Sequence, residues 1–93
     1  MGYEIWPDEA RLMHEFARAH RGNDALIRQA AEGLAILKHT PREHTGRIKK
    51  LPDGRYRYRH GRCRIVYRID EAASTVVIIR IAQREAGTYR DLA

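Results

Sequence analysis

Tyr3-Glu4-Ile5-Trp6 alternates apolar and polar positions with the period of a half-buried strand, and Pro7 ends the run. The period then lengthens. Leu12, Met13, Phe16, Ala17 and His20 recur at three- and four-residue steps, which predicts an amphipathic helix opening at Pro7 or Asp8 and reaching about His20. Asp8 and Glu9 lie at the positive end of its dipole. Arg21-Gly22-Asn23-Asp24 reads as a turn, with Asn23 or Asp24 as the next N-cap. Ile27, Ala30, Ala31, Leu34 and Leu37 carry a second helical stripe to about Lys38. Helices joined by so short a turn pack as an antiparallel hairpin.

His39 to Gly46 has loop composition and contains Pro41. From Arg47 the period becomes 2. Strands are predicted at 47–51, 55–60, 63–70 and 75–82. They are separated by Pro52-Asp53-Gly54, by a tight primed turn at Gly61-Arg62, and by residues 71–74. The run at 75–82 is the most apolar and reads as the central strand. Residues 83–93 are polar and irregular. The fold class is therefore α+β, an N-terminal strand and a helix hairpin packed on a mainly antiparallel twisted sheet.

Strand pleating sends alternate side chains to opposite faces. Tyr56, Tyr58, Cys63, Ile65, Tyr67, Ile69, Val77, Ile79 and Ile81 are expected against the helices. Arg55, Arg57, Arg59, Arg64, Arg68 and Arg80 are expected together on the open face. Their guanidiniums repel one another unless an anion is present, and each planar fork suits a phosphate.

Composition narrows the setting. A length of 93 residues predicts one domain over 1–93. Cys63 is alone, which excludes an intramolecular disulfide framework and fits a reducing cytoplasmic location. The longest apolar run, Val76-Val77-Ile78-Ile79, is far short of the roughly 20 residues that span a bilayer, and no signal-peptide core follows the N-terminus. No membrane partner is expected. The charge is +6 overall, and residues 47–70 hold nine basic and two acidic side chains, a local +7. Such a block is the footprint of a polyanion-binding surface, with a solvated basic face as the alternative. His39 and His44 lack further ligands at metal spacing, so no metal or other cofactor is expected.

The element order, together with Lys50-Leu51, Pro52-Asp53-Gly54, Tyr56-Arg57-Tyr58-Arg59 and Cys63-Arg64-Ile65-Val66-Tyr67-Arg68-Ile69-Asp70, resembles the RelE/ParE toxin superfamily. The resemblance spans essentially the whole chain and is most specific over residues 49–70. It implies a toxin of a type II toxin–antitoxin pair with a microbial-ribonuclease-like fold, neutralised by a cognate acidic antitoxin. In the RelE-like branch, the preferred reading, such toxins cut mRNA on the ribosome. In the ParE-like branch they inhibit DNA gyrase without a nuclease site. A third alternative is an inactive member that only binds RNA or its antitoxin.

On the RelE-like reading the resemblance assigns Arg64, Arg84 and Tyr89 to catalysis and matches Arg57 and Arg59 to basic positions of the nucleases. The basic block adds Lys49, Lys50, Arg55 and Arg68 to those two as substrate-binding residues. Cleavage through the 2′-hydroxyl needs a proton acceptor, positive charge on the phosphorane and a proton donor. Gln83 stands where many relatives carry histidine, and a glutamine does neither proton-transfer job. His60, Glu85 or a perturbed Lys49 or Lys50 remain as substitutes, because an arginine does not readily deprotonate.

Overall fold

The computed structural model describes residues 2–42 and 46–84. The elements run β1 (Glu4–Trp6), α1 (Glu9–Ala19), α2 (Asp24–Leu37), β2 (Ile48–Lys50), β3 (Tyr56–His60), β4 (Cys63–Asp70) and β5 (Thr75–Gln83). The helix starts follow from side-chain caps. The Asp8 carboxylate accepts from the Arg11 backbone N–H at 3.1 Å, and Asn23 accepts from that of Leu26 at 3.2 Å. Each cap satisfies an N–H that the first helical turn leaves without a carbonyl.

The five strands form one sheet in the order β1-β5-β4-β3-β2. Only the β1–β5 pair is parallel. The middle strand is therefore β4, not the more apolar β5, which lies between β4 and the short edge strand β1. Helix α2 covers β3, β4 and β5, and α1 packs chiefly on α2. The core between them holds Phe16, Leu26, Ala30, Leu34, Leu37, Tyr58, Cys63, Ile65, Tyr67 and Val76. The Tyr67 hydroxyl is satisfied in this apolar setting by donating to the Pro41 carbonyl at 2.6 Å.

One expectation fails on β5. Val76 and Ile78 are buried, Val77 is half-buried and Ile79 is 45% exposed, so the first half of the strand has the opposite parity from that expected. The cause is a bulge. Tyr67 pairs with Ile78 but Val66 pairs with Arg80, leaving Ile79 as an extra residue. Beyond it the parity is restored, and Ile81 packs against the core as expected.

Two glycines are required by their neighbours. Gly61 has φ 59° in the two-residue turn between β3 and β4, and the Gln29 side chain of α2 lies against it while accepting from the Arg62 N–H at 3.1 Å. Gly33 sits in the middle of α2, where a Cβ would come within 2.9 Å of both Ile65 and Tyr58. Gly33→Ala should thus lower stability by about 1–3 kcal/mol through overpacking, although alanine is the better helix former. Thermal melting of the variant checks this.

Candidate nucleic-acid interface

The face turned away from the helices is organised in rungs across the sheet, each set by strand register. Glu4, Thr75 and Asp70 form the first, and Trp6, Val77 and Arg68 the second. Arg80, Val66, Arg57 and Lys49 form the third. Ala82, Arg64 and Arg59 form the fourth. Beyond them the Arg84 N–H donates to the Arg62 carbonyl at 2.6 Å, extending the pairing by one step. The face is therefore acidic at one end, carries an exposed tryptophan next, and is strongly basic over the rest.

Arg57 is at the centre of the basic part. Its Nε is buried and, among the described residues, has no hydrogen-bond partner. Burial lowers the guanidinium's pKa, and the charges of Arg59, Arg64 and Arg84 lower it further. Beside it Val66 is only 8% exposed although strand parity turns it away from the core. A buried donor without an acceptor, surrounded by like charges, is unfavourable as it stands. An oxyanion placed among these four arginines relieves both costs.

The nearby carboxylates do not supply that anion. Glu71 pairs with Arg42 and accepts from the Tyr3 hydroxyl, while Asp70 accepts from the Ala73 N–H. Among the described residues no ion pair forms at Arg57, Arg59, Arg64, Arg68 or Arg80. Arg64 and Arg68 thus pair with neither Asp70 nor Glu71 among the described residues.

The residues assigned by the family motif divide into groups. Lys49, Arg57, Arg59, Arg64, Arg68 and Arg84 share the open face. Arg55 lies before β3 begins, and its Nε donates to Asp53 at 2.7 Å, so the turn engages it. Lys50 pairs with Tyr56 on the opposite parity and sits 5.9 Å from the centre of that ring. It lines a recess of about 240 Å³ to which Arg42, Asp53 and Tyr56 contribute and which Arg68 of the open face also borders. Tyr89 and Glu85 lie outside the described residues.

The candidate proton-transfer groups divide as well. His60 belongs to the helix side, with Nε2 3.8 Å from the Glu32 carboxylate of α2. Gln83 pairs with the buried Cys63 and so shares the helix-side parity, away from the arginines. Burial pushes the Cys63 thiol up to about 11, which removes it as a nucleophile. Of the substitutes considered for a base, Lys49 alone stands on the arginine rungs among the described residues. The chemistry this face offers is phosphate binding and charge stabilisation.

A profile described as the ParE toxin of the type II toxin–antitoxin system, parDE, matches residues 10–86. The chain belongs to the ParE toxin family. It is accordingly a type II toxin whose partner is an antitoxin, and it falls within the RelE/ParE superfamily that its motifs resemble. The fold is similar to that of a chain in the crystal structure of the RelBE2 toxin–antitoxin complex from Mycobacterium tuberculosis. That likeness has a TM-score of 0.62 at 24% identity, covering 90% of this chain and 100% of the other. No curated protein sequence matches the chain. Among the described residues, no helix is long and apolar enough to cross a membrane.

Trp6 is not among the residues the family motif singles out. It is 57% exposed, the most exposed large hydrophobic side chain among the described residues. Alternation along Tyr3-Glu4-Ile5-Trp6 is the signal for its position, since Ile5 packs against the core.

Proposed function

We propose that this toxin binds single-stranded RNA on its arginine face and acts as a ribosome-dependent mRNA endoribonuclease. The observation that carries the reading is the buried Nε of Arg57, which has no partner among the described residues, amid the charges of Arg59, Arg64 and Arg84. A scissile phosphate seated there receives charge-assisted hydrogen bonds that strengthen as the phosphorane gains negative charge. Arg64 and Arg84 supply that stabilisation. Lys49, opposite Arg57 in the register, adds a further positive charge beside that phosphate, and the ribosome supplies the alignment of the mRNA.

The family match favours a second reading, inhibition of DNA gyrase without chemistry. Induced expression separates the two. Primer extension should reveal mRNA cut within codons while plasmid supercoiling stays normal. Intact mRNA with relaxed plasmid selects gyrase inhibition instead.

The antitoxin is proposed to be acidic and to cover the arginine face, because that face carries the uncompensated charge. Its affinity should fall as salt rises, because salt screens the attraction between exposed opposite charges. Calorimetry over a salt series checks this, and a flat series means that an apolar interface dominates.

A further inference from the structure

We propose that the second rung of the open face is a nucleotide-binding platform, in which a base stacks on Trp6 and the phosphate of that nucleotide is held by Arg68. The inference rests on the RNA-binding reading above and extends it to two residues outside the Arg57 cluster.

Three observations carry it. First, strand register places Trp6, Val77 and Arg68 side by side on the face opposite the core. Neighbouring strands are about 4.8 Å apart, so the Trp6 and Arg68 backbones are separated by roughly 10 Å. A nucleotide laid across the sheet spans that gap, with half-buried Val77 beneath its sugar. Second, neither outer side chain has a polar partner among the described residues, although Arg68 also lines the recess beside Lys50 and Tyr56. Trp6 is 57% exposed, and among the described residues the Arg68 side chain forms no hydrogen bond or ion pair. An aromatic face beside free cations is the composition of a sequence-tolerant single-strand site.

Third, the charge pattern sets where the platform ends. The neighbouring rung carries Glu4 and Asp70, which repel a phosphate backbone, whereas the rungs on the other side carry the arginines. Arg68 is four residues from Arg64 along β4, or about 13 Å at strand rise. A single strand bound at the arginine cluster thus reaches Arg68 within a few nucleotides and meets like charge immediately past Trp6. An apolar protein segment seated on Trp6 gives no role to the free guanidinium beside it, and this favours the nucleotide.

Trp6 is the chain's single tryptophan, which gives the test a direct signal. The full chain is titrated with a single-stranded RNA octamer carrying a fluorescent end label. Trp6 emission should be quenched with the same midpoint as the rise in label anisotropy. Trp6→Ala should weaken binding about 5- to 150-fold without changing its salt dependence, and Trp6→Phe should keep most of the affinity. Arg68→Gln should instead flatten the plot of log affinity against log salt by about 0.7, the loss of one phosphate contact to a single strand. Unaltered thermal melting of Trp6→Phe shows that the strand is intact whatever the alanine variant does. Tight RNA binding with unchanged Trp6 emission and an unaffected Trp6→Ala variant overturns this platform alone. Loss of antitoxin affinity in Trp6→Ala with RNA affinity unchanged also overturns it, and assigns the patch to the antitoxin. Absence of any RNA binding by the unmodified chain overturns both the platform and the RNA-binding reading.

Discussion

Arg57→Met should raise the thermal stability of the free protein and at the same time weaken its hold on RNA. Methionine keeps much of the length and apolar stem of arginine but removes a buried donor that has no acceptor among the described residues. Leaving a buried polar group unsatisfied costs about 1–3 kcal/mol, and the low end applies because the guanidinium is partly exposed to water. A gain of about 1 kcal/mol corresponds to a rise of roughly 4–8 °C in Tm for a domain of this size. The pH dependence has a definite sign. The folded-state pKa of Arg57 lies below its unfolded value, so the charged form penalises the fold at every pH below that pKa. An arginine stays protonated throughout the accessible range, so the gain should be constant from about pH 5 to pH 9. RNA affinity should meanwhile fall about 10- to 100-fold, the worth of a hydrogen bond to a charged group. Melting curves and anisotropy titrations of the same variant check both halves. Destabilisation in the absence of RNA would show that Arg57 serves the fold rather than a ligand.

Arg64→Ala and Arg84→Ala should each lower cleavage about 10²- to 10³-fold while leaving the fold intact. A preorganised donor aimed at developing negative charge is worth roughly 3–4 kcal/mol of transition-state stabilisation. Arg64 is half-buried on the middle strand of the sheet, the most constrained backbone available to such a group. Arg84 is tethered by its own N–H to the Arg62 carbonyl. Among the described residues its guanidinium makes only a long 3.5 Å contact to the Gly61 carbonyl, so their packing does not depend on it. Stability within about 0.5 kcal/mol of the unmodified protein, as for an ordinary surface change, should accompany the loss of activity. Cleavage rates on programmed ribosomes, measured beside thermal melts, separate these outcomes.

Much of this arrangement is legible in the sequence, and the exceptions have physical causes. Unbroken alternation in Arg55–His60 and Cys63–Asp70 is enough to place Tyr56, Tyr58, Ile65 and Tyr67 inside and Arg57, Arg59 and Arg64 outside. The side chains of Asp8 and Asn23 are short-range caps whose partners lie three residues away. The bulge at Ile79 is different. It is a two-strand feature, set by how β5 lies against Val66 and Tyr67, and the apolar run 76–79 looks the same in either parity. Arg55 alternates correctly, but the Asp53 carboxylate two residues earlier captures it. His60 reads as an available base until α2 brings Glu32 within 3.8 Å, a contact between residues 28 positions apart in the chain. Gln83 reads as the loss of a catalytic group until pairing with Cys63 shows that its position faces away from the arginines. The lesson is local. Period and caps travel within an element, whereas register, bulges and tertiary ion pairs belong to pairs of elements.

The arginine face is tested most directly by mapping mRNA on stalled ribosomes treated with the purified full chain. The account predicts a new 3′ end within the codon held in the ribosomal A site, absent with naked mRNA and lost in the Arg64→Ala protein. Intact mRNA under the same conditions, with the protein instead blocking supercoiling by purified gyrase, would contradict it.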